Sequence, residues 1–310
     1  MKLNPEIIKE YKSIVLELIK VRITFFVAVS VSIGYILFAG ELSFKMILPA
    51  LGVFLLASGS SAFNHFQERD TDALMDRTKG RPIPARKITP TQAFTVASIF
   101  VLSGTVILYF SSNLISTVLG LIALVWYNIV YTPMKKKYAL AVVPGSVIGA
   151  IPPVIGWTAA GGSLFNPEAI ALAMFFFIWQ IPHFWLLLLI FSKDYEKAGF
   201  PTLTKVFTNK QLSRITFVWI AALAISCLFI PFFSISANAS FTTILLIALG
   251  AWLIFKTKDI LADYLERRVL RKAFLYINVY VLVAVFILSI DKLLLTDINR
   301  NFRVILSWIF

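Results

Sequence analysis

Most of the residues that could do chemistry in this 310-residue chain lie in one stretch, residues 64 to 84, NHFQERDTDALMDRTKGRPIP. It carries the carboxylates Glu68, Asp70, Asp72 and Asp76 beside Arg69, Arg77, Lys79 and Arg81, and it follows directly on an apolar run. A dense charge cluster at the mouth of a membrane-length segment is costly unless something uses it. Asn64, Glu68, Asp72 and Asp76 recur every fourth residue, so on a helix each lies near the one before, drifting roughly 40° per step. Like charges that close repel, and the face needs a cation or cationic ligand. Oxygen donors of this kind suit Mg²⁺, which commonly binds through one or two carboxylates plus substrate phosphates. The arginines that follow offer bidentate forks for phosphate oxygens. Asp70 falls about 120° off that face.

The elements that must position this stretch are membrane helices. The chain is 59% hydrophobic with mean hydropathy +0.83, which excludes an ordinary soluble domain. Nine apolar runs have spanning length, at roughly 22–40, 46–64, 93–111, 114–131, 139–160, 169–191, 214–233, 239–255 and 273–290. The fold class expected is therefore all-α and polytopic, a single membrane domain over 1–310. The net charge is +13, and 25 of the 29 Lys and Arg precede span one or follow spans two, four, six and eight. Positive residues stay inside, so the N-terminus is expected on the cytoplasmic side and the tail 291–310 outside. Residues 1–20 mix acids and lysines with an apolar stripe and read as a helix lying on the membrane surface. The single cysteine, Cys227, excludes an intramolecular disulfide.

Other residues could serve the same site. Lys20 and Arg22 open span one as orientation markers or phosphate contacts. Arg81-Pro82-Ile83-Pro84 must leave the helix and form an ordered loop over the acids. Span four ends in WYNIVYTPMKKKY, where Tyr127, Asn128, Tyr131 and Lys135 lie towards the cytoplasmic side. Span five, with Pro144, Gly145, Gly149, Pro152, Pro153 and Gly156, is expected to be irregular. In span six, Gln180, Pro182 and His183 interrupt an aromatic run, and an intramembrane His is a candidate functional group. His65 reads as a supporting group. Asp194 and Glu196 follow span six on the same side as residues 64 to 84, so two acidic loops could hold one diphosphate through metal ions. Asn278 and Tyr280 stand in span nine, where they could line a cavity, and are given no role.

Asn64-x-x-x-Glu68-x-x-x-Asp72 resembles the first Asp-rich motif of the UbiA-type intramembrane prenyltransferase superfamily. NHFQERDTDALMDRTKGRP, YTPMKKKY, PPVIGWTAAGG and WQIPHFW-x(8)-DYEKAGFP together are similar to its haem-farnesylating branch, over roughly residues 20 to 290. The resemblance implies a nine-helix bundle with a cavity near the cytoplasmic face. Farnesyl diphosphate would give its farnesyl group to a vinyl group of haem b, with water completing the substituent. Haem A synthase or terminal oxidase assembly would be the protein partners, the bilayer the environment, and nucleic acid would have no part. The resemblance implies Mg²⁺ on Asn64, Glu68 and Asp72, with Asp194 at the second motif. Arg77, Arg81 and Lys135 would neutralise the departing diphosphate, and His183 would contact or orient haem. Tyr131 would line the pocket with the aromatic faces of Phe176, Trp179 and Trp185, which suit an allylic cation. Two departures stand out: Glu68 where many relatives have Asp, and Ala198 at the second position of the second motif, where Glu196 could substitute. Prenyl transfer to an aromatic quinone precursor and a secondary transporter are the other readings.

Overall fold

The computed structural model describes residues 5–233, 238–262 and 266–309. Among these residues, nine helices have the length and apolar character to cross a membrane, at Val21–Ala39, Phe44–Asp72, Pro90–Ser111, Leu114–Met134, Val142–Ala159, Pro167–Ile190, Asn209–Phe233, Ala239–Leu261 and Arg267–Thr296. The expected runs fall within two to five residues of these at most ends, and the ends that moved are polar. Asn64 to Asp72 extend the second span, because a helix there satisfies its own backbone and keeps the acids in register.

The helices are labelled α1 (Pro5–Leu18), α2 (Val21–Ala39), α3 (Ile47–Asp72), α4 (Pro90–Ser111), α5 (Leu114–Val125), α6 (Val147–Ala159), α7 (Pro167–Ile190), α8 (Ser192–Lys197), α9 (Asn209–Ser226), α10 (Ala239–Thr257) and α11 (Arg267–Ile309). The last runs past the expected end of span nine and through the expected tail. Local sequence sets several starts. Thr89 caps α4 by accepting from Gln92 N, with Gln92 reaching back to Thr89 N and Pro90 in the first turn. Thr208 and Gln211 do the same for α9, so two orphan donors are satisfied reciprocally at each start. Many large apolar side chains of the spans face outward, among them Leu102, Val218, Ile247 and Phe286, as a hydrocarbon solvent allows.

Three buried clusters fill the interior. The largest joins α7, α9, α10 and α11 through Phe175, Leu186, Ile220, Leu253, Ile277 and Tyr280. The Tyr280 hydroxyl lies 3.1 Å from the Ala224 carbonyl and 2.8 Å from Cys227 Sγ, so Tyr280 ties α11 to α9 rather than lining a cavity. A second cluster seats one face of α1, Ile14 and Leu18, against Ala62 and Ala97, and adds Ile83 and Ile88. The third lies between α2, α3, α4 and α6, with α5 packed against it. Span five breaks at Ser146 as expected, yet Pro152 and Pro153 both sit within regular α6.

Helices α2 and α6 approach each other backbone to backbone at two glycines. A Cβ on Gly34 would lie 1.8 Å from the Pro153 carbonyl oxygen, and one on Gly156 1.8 Å from that of Val31. Backbone cannot give way as a side-chain tip can, so small residues are required here. Gly156→Ala is expected to cost about 3 kcal/mol, at the upper end of overpacking effects, measured as the shift in chemical unfolding in detergent.

Candidate active site

The acidic face of α3 is buried. Asn64 and Asp72 are each 1% exposed and Glu68 4%, three oxygen-bearing side chains one turn apart. Each meets a cation from a different part of the chain. Lys20, between α1 and α2, donates from Nζ to Asn64 Oδ1 at 3.2 Å. Lys135, after α5, lies 2.7 Å from Glu68 Oε1. Arg81, on the loop after α3, donates to Asp72 Oδ2 at 2.7 Å. This answers the repulsion that the spacing implies: alternating charge makes the ridge tolerable at membrane depth. Asp72 Oδ1 is sealed from solvent and has no hydrogen-bond partner among the described residues.

Asp76 does not share the face. Helix α3 ends at Asp72, where the Thr78 hydroxyl takes the Asp72 carbonyl at 2.9 Å, and residues 73–88 continue as turns. Asp76 is exposed and pairs with Lys79 and Lys197. Those two ammonium groups hold its carboxyl down at about 2, and Asp76 in turn raises Lys197. Asp70 is exposed beside Arg69. Arg77 stands over the Phe191 ring at 5.1 Å. With the pair of Asp76 and Lys197, that contact ties the acidic loop to α8.

A π-helical segment, Trp126–Tyr131, follows α5 and faces the ridge, and such wide turns recur at functional sites. Asn64 Nδ2 donates to Thr132 Oγ1 at 3.3 Å, which donates to the Tyr127 carbonyl at 2.9 Å. Asn128 Nδ2 donates to Ser60 Oγ at 2.6 Å, and Gln67 Nε2 to the Asn128 carbonyl at 3.0 Å. With its amide nitrogen committed to Thr132, Asn64 turns its oxygen to the cation side. Thr132 and Gln67 carry no signal of their own in sequence, because their partners Asn64 and Asn128 lie 68 and 61 residues away. Lys20 adopts a left-handed backbone, φ 48 and ψ 52, an uncommon state for a residue with a side chain. Burial and then the Arg81 charge bring its ammonium down to about 7. At Lys135 burial acts downward too, but the Glu68 carboxylate outweighs it and holds the ammonium above its ordinary range.

The remaining candidates divide between two places. Tyr131 is buried, packs against Gly145, stacks on Tyr127 and on Phe184, and lies under Lys135. His183 sits against Phe184, Trp179 and Phe274, and Phe176 meets Trp179 edge-on at 6.0 Å. Trp185, expected in the pocket, is instead 1% exposed in the core beside Phe207, because a two-residue step on a helix turns it away from His183. His65 is 1% exposed beside the ridge, and among the described residues neither ring nitrogen has a hydrogen-bond partner.

The donor set fits a hard divalent cation at Asn64, Glu68 and Asp72: three oxygens, one of them buried and open. The second expected set is not assembled. Among the described residues, no three His, Cys, Asp or Glu side chains gather closely enough to hold a metal. Glu196 is taken up locally, accepting from Thr202 and Thr204. Asp194, half-buried on α8, therefore does not join Glu68 and Asp72 in this structure.

Among the described residues, a bundle of nine membrane-length helices with a cation-ringed acidic ridge at one end is the architecture of an intramembrane prenyltransferase. The chain belongs to the UbiA prenyltransferase family, matching it over residues 25–288. It is similar to the protoheme IX farnesyltransferase of Oleidesulfovibrio alaskensis, 34% identical over 281 residues that cover 91% of this chain and 97% of that protein. It is also similar to the protoheme IX farnesyltransferase of Geobacter sulfurreducens, 42% identical over 186 residues, 60% of this chain and 68% of that one. Among solved structures the fold matches a UbiA homolog from Archaeoglobus fulgidus bound to GPP and Mg²⁺, at TM-score 0.64 and 17% identity, covering 86% of this chain and 99% of that one. A digeranylgeranylglyceryl phosphate synthase matches at TM-score 0.66 and 17% identity, covering 92% and 99%.

Proposed function

We propose that this chain transfers the farnesyl group of farnesyl diphosphate to a vinyl group of protohaem IX, with addition of water, giving haem O and diphosphate. The observation that carries the reading is the buried ridge of Asn64, Glu68 and Asp72, its Asp72 Oδ1 open and its rim made of Lys20, Lys135 and Arg81. The names of the relatives supply the acceptor.

Asn64, Glu68 and Asp72 would hold Mg²⁺, which when bound supplies a positive charge for the leaving diphosphate. Lys20, Lys135 and Arg81 exchange their carboxylate and amide partners for phosphate oxygens, so the charge that develops on the leaving group meets fixed donors. Arg77 approaches from the loop. Tyr131, Trp179 and Phe176 offer ring faces to the allylic cation, and the apolar wall keeps out water before the new bond forms. The chain would lie in a bacterial cell membrane with its N-terminus and this site on the cytoplasmic side, in keeping with the distribution of Lys and Arg.

The test is to incubate the purified protein in detergent with protohaem IX, farnesyl diphosphate and Mg²⁺, then extract the haem for mass analysis. A haem heavier by one farnesyl group and one water is expected. Unchanged haem with diphosphate released would redirect the reading to another acceptor, such as a quinone precursor. No release would favour transport.

Lys20 offers a second check. Lys20→Gly removes the ammonium but relieves the left-handed backbone. The KM for farnesyl diphosphate is expected to rise about tenfold, the loss of one charge-assisted hydrogen bond. The unfolding midpoint is expected to stay at or above that of the wild type, since glycine adopts this conformation freely. A steady-state assay beside a thermal melt reads both.

A further inference from the structure

Helix α11 contributes one interior polar side chain that the reaction above leaves unused. Asn278 Nδ2 donates to the Phe274 carbonyl at 2.5 Å. That bond fixes which way the amide faces, so the atom 2.9 Å from His183 Nδ1 is the amide oxygen Oδ1. A carbonyl oxygen only accepts. In the neutral imidazole His183 Nδ1 therefore carries the proton, and Nε2 the lone pair. An amide cannot take the proton away, so the tautomer is held without charge transfer to Asn278. Among the described residues, Nε2 has no hydrogen-bond partner.

The surroundings of the ring suit a flat aromatic ligand. Its centroid lies 4.9 Å from that of Trp179, 4.8 Å from Phe274 and 5.7 Å from Phe184. Phe184 stacks on Tyr131 at 6.1 Å, and Lys135 stands 5.5 Å over Tyr131. Ring contacts thus run unbroken from the cationic rim to His183. His183 also precedes the end of α7 at Ile190 by seven residues, about 10 Å along the helix. Asn64 precedes the end of α3 at Asp72 by eight residues, so by this measure His183 lies at about the depth of the inner end of the ridge. A neutral imidazole whose Nδ1–H is anchored to an oxygen, leaving Nε2 free, is the arrangement of metal-ligating histidines.

We propose that Asn278 is a positioning residue that locks His183 as its Nδ1–H tautomer, and that His183 Nε2 ligates the iron of the protohaem substrate. The inference rests on the protohaem reading above. The purely structural alternative, a bond that only holds α7 to α11, predicts no change at iron.

The experiment titrates ferric protohaem IX into the full-length protein in detergent and records the Soret band and low-temperature electron paramagnetic resonance. Haem product is assayed in the same preparation. Wild type is expected to give a histidine-ligated spectrum. His183→Ala should lose that spectrum, while a thermal melt matching that of the wild type in the same detergent shows that the variant is folded. Asn278→Leu should weaken protohaem binding by about tenfold to a hundredfold. Asn278→Asp should keep binding and shift the ferric paramagnetic resonance signal, because a carboxylate makes the imidazole a stronger donor. An unchanged spectrum in His183→Ala, in a preparation whose wild type makes haem O, overturns iron ligation alone. Loss of turnover without a spectral change would do the same and make His183 a proton acceptor. A wild type that neither binds protohaem nor forms product overturns the function itself.

Discussion

Asp72→Asn is expected to lower the rate of farnesyl diphosphate cleavage by about a thousandfold, the upper range for removing one fixed group that stabilises developing charge. The two carboxylate oxygens have different tasks. Oδ2 is engaged by Arg81 at 2.7 Å, while Oδ1 is buried and open. Asparagine keeps the volume and one oxygen but removes the negative charge that both Arg81 and a divalent cation require. A control sits one turn on. Asp76 continues the same fourfold spacing, yet it is exposed and bound to Lys79 and Lys197, so Asp76→Asn should stay within about twofold, as exposed ion pairs contribute little. Steady-state diphosphate release from both variants, at several Mg²⁺ concentrations, separates burial from periodicity. An Asp72→Asn enzyme within tenfold of wild type would remove the ridge from the reaction.

Lys135→Met should have the largest effect on stability. Glu68 is 5% exposed at its side chain and Lys135 18%. Removing the ammonium leaves a carboxylate buried without its partner, at a cost of about 3 to 5 kcal/mol. Mg²⁺ should return part of that loss, because a divalent cation on the ridge takes over the role of Lys135. At a hundredfold excess over its dissociation constant, binding to the folded state alone contributes about 2.7 kcal/mol. Mg²⁺ should therefore stabilise the variant more than the wild type, where Lys135 competes for Glu68. The sign of the pH dependence follows from the raised ammonium. Its stabilisation is fully present below the unfolded value near 10.4 and is lost only as pH rises through the higher folded value. The gap between variant and wild type should accordingly be flat from about pH 6 to 9. Unfolding curves with and without Mg²⁺ test this, and equal responses in both proteins would place the cation elsewhere.

The nine spans and the acidic motif were legible in sequence for a physical reason. A bilayer forces each crossing to show as a long apolar run, and an uncompensated ridge of acids at membrane depth stands out by its cost alone. Boundaries blurred where polar residues continued a helix, as at Asn64 to Asp72. Asp76 misled because fourfold spacing says nothing about where a helix stops; the stop was set by the Thr78 hydroxyl on the Asp72 carbonyl. Trp185 misled because one aromatic run contains both the face towards His183 and the face towards the core.

By itself, then, the amino-acid sequence determined the membrane class, the apolar runs of spanning length and a fourfold ladder of oxygen-bearing side chains from Asn64 to Asp76. All of these follow from hydropathy and periodicity along one segment. Only the tertiary structure decided which cations meet those donors and which way each side chain turns. Lys20 comes to Asn64 from 44 residues away, Thr132 from 68, and Asn278 to His183 from 95. Such partners are chosen by how the helices pack, and neither local spacing nor residue type carries that information.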